Sequence, residues 1–122
     1  MNYKEKLNQI KTFIFDVDGV LTDGKILLHP SGEQMRSMNV KDGMAIREAI
    51  KKGYLVAIIS GGKSQGLIER FKHLNINDVY LACDNKKDAF SDLMHIHELD
   101  SQSILYMGCL LYTSPSPRDR VL

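Results

Sequence analysis

Two aspartates, Asp16 and Asp18, follow directly on the apolar run Thr12-Phe13-Ile14-Phe15. A run that short suits a buried strand better than a helix. Carboxylates two residues apart, just past a buried strand, repel each other where water is scarce, a poor arrangement for stability alone. The pair makes sense when a divalent cation neutralises it, or when one carboxylate is a nucleophile and the other an acid/base. A bare Asp-x-Asp can also be a polar loop, but the string Asp16-Val17-Asp18-Gly19-Val20-Leu21-Thr22-Asp23-Gly24 is far more specific. A second candidate is Ser60-Gly61-Gly62, at the end of the run Leu55–Ile59. A hydroxyl there, with the backbone N–H of Gly61 beside it and a helix about to start, can hold a phosphate oxygen. Capping of that helix is the plainer role for such a serine. The third is Asn85-Lys86-Lys87-Asp88. A lysine brought to the carboxylates would offset their charge and stabilise phosphoryl oxygens, whereas a Lys-Lys pair alone reads as a surface charge cluster.

The elements that must position these residues follow from the apolar pattern. Thr12–Phe15, Leu55–Ile59, Val79–Leu81 and Ile104–Met107 read as core strands. Ile26–Leu28 and Gln34–Val40, around a Pro30-Ser31-Gly32 turn, read as a β-hairpin. A helix opens at Asp42, carries Met44, Ala45, Ile46, Ala49 and Ile50, and ends at Gly53. A second helix shows Leu67, Ile68, Phe71 and Leu74 on one face, and a third runs from Asp88 to Leu99. Strand and helix alternate, which predicts an α/β fold with a parallel sheet covered by helices on both faces. In such sheets, sites form beyond the carboxyl ends of the strands, where all three candidates fall.

Other features carry less. Gly62-Lys63-Ser64 could close a P-loop, but that pattern needs glycine at position 57, where Ala57 stands. His95 and His97 do not share a helix face, so they read as surface histidines and not as a metal pair. Met35, Met38 and Met44 read as hairpin and core packing. With 16 basic and 15 acidic residues, the chain has no electrostatic reason to prefer nucleic acid or a membrane surface. The opening Met1-Asn2-Tyr3-Lys4-Glu5-Lys6 lacks the apolar stretch of a signal peptide, and Cys83 and Cys109 are too few for a disulfide framework. The expectation is one small cytoplasmic domain.

The Asp16–Gly24 string resembles the first signature of the haloacid dehalogenase superfamily, and the resemblance runs from Asn2 to about Gly108. It implies a Rossmann-like sheet and a magnesium-dependent phosphatase. Asp16 would be the nucleophile and Asp18 the general acid/base, with the Asp16 carboxylate and the Asp18 carbonyl as metal ligands. Ser60 and Gly61 would hold the phosphoryl group. Lys86 would contact it, with Lys87 as the open alternative, and Lys63 could add charge. Neither gap between these motifs can hold a cap domain. Together with Thr22-Asp23-Gly24 and Lys41-Asp42-Gly43-Met44, this resembles the capless tetrameric branch, in which the hairpin acts as a flap and helps to build a homotetramer. That branch implies a sugar-acid phosphate as substrate, with eight or nine carbons. In the family, Gly-Asp-Asp after the fourth strand completes the metal site, whereas here Gly108 precedes Cys109 and Leu110. The string from Cys109 to Asp119 resembles a translated adapter from DNA library preparation. The expected organisation is therefore a partial phosphatase domain over residues 1–108, lacking the C-terminal strand and helix, and a non-native or disordered tail over 109–122. A phosphate-binding or scaffolding relative without catalysis is the alternative expectation.

Overall fold

The computed structural model describes residues 7–108. In chain order these form β1 (Thr12–Phe15), β2 (Leu27–Leu28), β3 (Gln34–Met35), α1 (Val40–Lys51), β4 (Leu55–Ile59), α2 (Gln65–His73), β5 (Asp78–Tyr80), α3 (Lys86–His97) and β6 (Ile104–Met107). Four strands make one sheet in the order β5-β4-β1-β6, and every pairing is parallel. The register aligns Ile14 with Ala57 on one side and with Tyr106 on the other.

Successive residues of a strand point to opposite faces, so an unbroken apolar run needs cover on both. Val56 and Ile58 pack with Ile46 of α1 and with Leu67 and Phe71 of α2. Ala57 and Ile59 pack on the other face with Ile14, Tyr106, and Ala89 and Leu93 of α3. Full burial of each such aliphatic side chain contributes about 1.5–3 kcal/mol. The expected three-layer arrangement is present. The chain runs outward from β1 to β4 and β5, then returns across the sheet to β6. This reversal opens a crevice beyond the carboxyl ends of the strands.

Capping places the helix starts earlier than the apolar pattern suggests. Asn39 accepts a hydrogen bond from the Lys41 N–H at 2.7 Å, so α1 begins at Val40 and Asp42 falls in its first turn. Asn85 accepts from the Lys87 N–H at 2.9 Å, so α3 begins at Lys86 instead of Asp88. It stops at His97, because Glu98 takes a left-handed conformation and the Leu99 N–H turns back to the Met94 carbonyl.

Met44 and Met35 correct another expectation. Both are exposed, and Met38 alone of the three packs on the core. The inward stripe of α1 is Gly43 and Ile46, which leaves Met44 turned to solvent together with Val40. Outside the main sheet, β2 and β3 pair antiparallel as a hairpin of two residue pairs, Leu27 with Met35 and Leu28 with Gln34. Only this hairpin, α1 and β4 lie between Asp18 and Ser60, and only α2 and β5 between Ser60 and Lys86, so the described residues hold no cap domain. The tail from Cys109 lies outside the described residues.

Candidate active site

Asp16 is the first residue past β1, and its N–H donates to the Met107 carbonyl at 2.8 Å, holding it to the end of β6. One carboxylate oxygen, Oδ1, accepts from the Val17 N–H at 2.8 Å. The other, Oδ2, accepts from Lys86 Nζ at 2.7 Å, across 70 positions of sequence. Both side chains are mostly covered, 14% exposed for Asp16 and 21% for Lys86. This answers which lysine reaches the carboxylates. Lys86 is the first residue of α3 and faces the crevice, whereas Lys87 is exposed and its N–H serves the Asn85 cap.

Val17 is fully buried, and its carbonyl accepts from the N–H groups of Val20, Leu21 and Thr22. This tight turn presents Asp18 beside Asp16. The Asp18 carboxylate receives Arg36 in a two-pronged contact, Nε to Oδ1 at 2.7 Å and Nη2 to Oδ2 at 3.2 Å. Thr22 Oγ1 donates more weakly to Oδ1 at 3.4 Å. Arg36 was not among the residues singled out from sequence. Its one signal is a single basic residue directly after the short hairpin strand Gln34-Met35.

Ser60 directly follows β4 with 1% exposure, its N–H bonded to the Tyr80 carbonyl and its carbonyl to the Cys83 N–H. Its Oγ accepts from the Gly62 N–H at 3.1 Å, which leaves the hydroxyl proton for another acceptor. Ser64, not Ser60, caps α2, accepting from the Leu67 N–H at 3.2 Å. Gly61 is exposed at the mouth of this turn. Lys63 does not join the cluster; it lines a separate depression with Lys72, Asn77 and Leu81. His95 is exposed, and His97 pairs with Asp78 at 2.8 Å, so the two histidines share no site. Burial pushes the Cys83 thiol up, against the lowering effects of its backbone hydrogen bond to Ser60 and of Lys86, so this thiol stays protonated.

Two features of backbone sterics shape the site. Gly108 has φ +132°, and a Cβ there would fall 2.4 Å from the Cβ of Asp16. Gly62 has an ordinary φ, but a Cβ on it would lie 2.5 Å from Arg36 Nη2. A cavity of about 670 Å³ opens next to Arg36, between the hairpin and the start of α2, with Gln34, Met38, Gln65 and Arg70 in its wall.

The arrangement joins two carboxylates to two cations beside a buried hydroxyl at the sheet's carboxyl end. An Asp16 oxygen and a nearby carbonyl suit magnesium, which keeps several waters and takes one or two protein carboxylates together with substrate phosphate. Among the described residues, no three acidic, histidine or cysteine side chains converge on one point.

No protein-family model matches the chain. It is 39% identical over 103 residues to the 3-deoxy-D-manno-octulosonate 8-phosphate phosphatase KdsC of Escherichia coli K12, a match covering 84% of this chain and 55% of that protein. The fold superposes on the crystal structure of the corresponding Yersinia pestis phosphatase with a TM-score of 0.82 at 32% identity, covering 86% of this chain and 57% of that one. A Moraxella catarrhalis phosphatase of the same name, solved with magnesium ion, phosphate ion and KDO, gives a TM-score of 0.80 at 30% identity, with 86% of this chain and 60% of that one covered. The chain thus spans little more than half the length of these relatives.

Proposed function

The chain belongs to the haloacid dehalogenase superfamily, and from that premise we propose that the protein hydrolyses a sugar-acid phosphate monoester of the 3-deoxy-D-manno-octulosonate 8-phosphate type with magnesium. The observation that carries the reading is the Lys86–Asp16 contact of 2.7 Å at the sheet's carboxyl end, next to the buried Ser60 hydroxyl.

Phosphate monoesters hydrolyse so slowly that enzymes accelerate the reaction by up to about 10²¹-fold. Positioning and charge neutralisation must supply most of that. In the proposed reaction, Asp16 Oδ attacks phosphorus in line with the leaving oxygen and forms an aspartyl-phosphate. Lys86 offsets the negative charge of nucleophile and phosphoryl oxygens together. Ser60 Oγ and the Gly61 N–H donate to those oxygens. Asp18 protonates the departing sugar oxygen, then takes the proton from the water that releases phosphate and restores Asp16. The Asp16 carboxylate and the Asp18 carbonyl would hold magnesium, which would supply the further positive charge that lets an anionic nucleophile meet a phosphate. The 670 Å³ cavity next to Arg36, whose guanidinium meets Asp18, has Gln34, Gln65 and Arg70 in its wall and offers room and polar partners for the sugar-acid part.

The hairpin supports an oligomer as part of this reading. Leu27 and Leu28 are 66% and 77% exposed, a costly display for a monomer, and a homotetramer would cover them. Light scattering on a variant lacking Lys25–Asn39 checks this; an unchanged mass would refute it. No helix among the described residues is long and apolar enough to cross a membrane, in keeping with a cytoplasmic enzyme.

The test is phosphate release from 3-deoxy-D-manno-octulosonate 8-phosphate by the purified full-length protein, with a nine-carbon sugar-acid 9-phosphate in parallel, since both present a phosphate at one end and a carboxylate at the other. Turnover that needs magnesium and disappears in Asp16→Asn is expected. Binding of the esters with no release would instead identify a non-catalytic relative.

A further inference from the structure

Arg36 makes the only charged contact that the described residues offer the Asp18 side chain, and it comes from the hairpin. A hairpin of two residue pairs does not hold its shape alone in water. Something must tie it to the domain, and Arg36 is placed to do so. It directly follows β3, its side chain is 3% exposed, and its fork meets both oxygens of Asp18. Its Nη1 and Nη2 also donate back to the hairpin, to the Gln34 carbonyl and to Gln34 Oε1, both at 3.3 Å.

Two-pronged guanidinium–carboxylate contacts fix the plane of the carboxylate as well as its distance. The other side-chain contact to Asp18, from Thr22 at 3.4 Å, is too long to set its direction. Asp18 remains 33% exposed, so the held carboxylate still faces the crevice. Room for the fork comes from Gly62, where any Cβ would overlap Arg36 Nη2. This accounts for the second glycine of Ser60-Gly61-Gly62, which has no left-handed backbone to explain it.

We propose that Arg36 is a positioning residue that fastens the hairpin to Asp18 and thereby aims the Asp18 carboxylate at the leaving oxygen. A partner covering Leu27, Leu28 and Met35 would then sit next to the side chain that holds Asp18, because β3 passes directly into Arg36. The kinetic part rests on the proposed phosphatase reading; the fastening of the hairpin does not.

The experiment compares Arg36→Gln and Arg36→Lys with wild type in the full-length protein by steady-state kinetics, inhibition by inorganic phosphate, and amide hydrogen exchange. For Arg36→Gln the expected result is a kcat lower by about 10²-fold, the lower end of what a positioned acid/base contributes, with KM and phosphate inhibition unchanged. Exchange should rise together in the hairpin and in residues 17–24. Arg36→Lys, which keeps one charged contact but not the fork, should recover part of both. A loss confined to KM and phosphate inhibition would make Arg36 a substrate contact and overturn the proposal, as would unchanged exchange in Arg36→Gln. If the wild type shows no turnover, the phosphatase reading fails, and exchange alone decides whether Arg36 fastens the hairpin.

Discussion

Replacing Lys86 with methionine removes one charge while keeping most of the side chain's length and apolar stem. In the folded chain that charge sits 2.7 Å from Asp16 Oδ2, with both side chains mostly covered. A pair of unit charges about 4 Å apart attracts by roughly 4 kcal/mol at an effective dielectric of about 20. Desolvation of both groups offsets much of that, so the net contribution to folding is smaller. With Lys86 gone, the Asp16 carboxylate keeps the Val17 N–H as partner, and leaving a covered acceptor short of one donor costs about 1–3 kcal/mol. In the proposed reaction the catalytic effect is larger, because the same charge also stabilises phosphoryl oxygens as they gather charge. Loss of one such donor costs about 10²–10³ in kcat, or about 2.7–4 kcal/mol. Lys86→Met should therefore lose about 10²–10³ in kcat/KM for phosphate release and melt earlier in urea. Lys87→Met is the control. Lys87 is exposed, so its stability should stay within about 0.5 kcal/mol and its activity within about threefold, under roughly 0.7 kcal/mol. Equal losses in the two variants, or a Lys86→Met protein with undiminished kcat/KM, would refute the electrostatic role given to the Lys86–Asp16 contact.

Gly108→Ala should destabilise the domain and abolish turnover together, since its Cβ would overlap Asp16 at 2.4 Å from a left-handed backbone; each kcal/mol lost lowers Tm by about 4–8 °C in a domain of this size, read by calorimetry beside the phosphate assay. Leu93→Ala, at a fully buried position under the sheet, should cost about 2–5 kcal/mol in urea unfolding while kcat of the remaining folded protein stays near wild type. Burial, together with the hydrogen bond to Asp92, pushes the Tyr80 hydroxyl up from 10.0 to about 12. Its contribution to stability is thus complete below pH 10 and fades as pH rises from 10 to 12. Tyr80→Phe should flatten that stretch of the stability–pH curve, and a curve that falls equally in both proteins would show that Tyr80 is not its source.

Much of this protein is legible from local pattern, because local pattern is where burial and backbone preference write themselves. Five apolar residues in succession at Leu55–Ile59 require cover on both faces, which already means a central strand between helices. Asp16 and Asp18 past the run Thr12–Phe15, and Ser60 before two glycines, mark strand ends where chemistry can sit, and they are found around one crevice. Helix starts were read two residues late at Asp42 and Asp88, since the capping side chains of Asn39 and Asn85 lie outside the apolar stripe. What no local pattern holds is which distant charge meets which carboxylate. The family resemblance favours Lys86 and leaves Lys87 open; the two are separated by one step of rotation about α3, which turns Lys86 toward Asp16 and Lys87 to water. Lys63, which could add charge, faces a different depression. Arg36 reaches Asp18 only because the hairpin folds back over the turn after β1, with Gly62 leaving the space. Side-chain chemistry and spacing set the sheet and the acids at its edge, while the pairing of those acids with their cations depends on long-range packing, which alone brings residues 18 and 70 positions apart within hydrogen-bond distance.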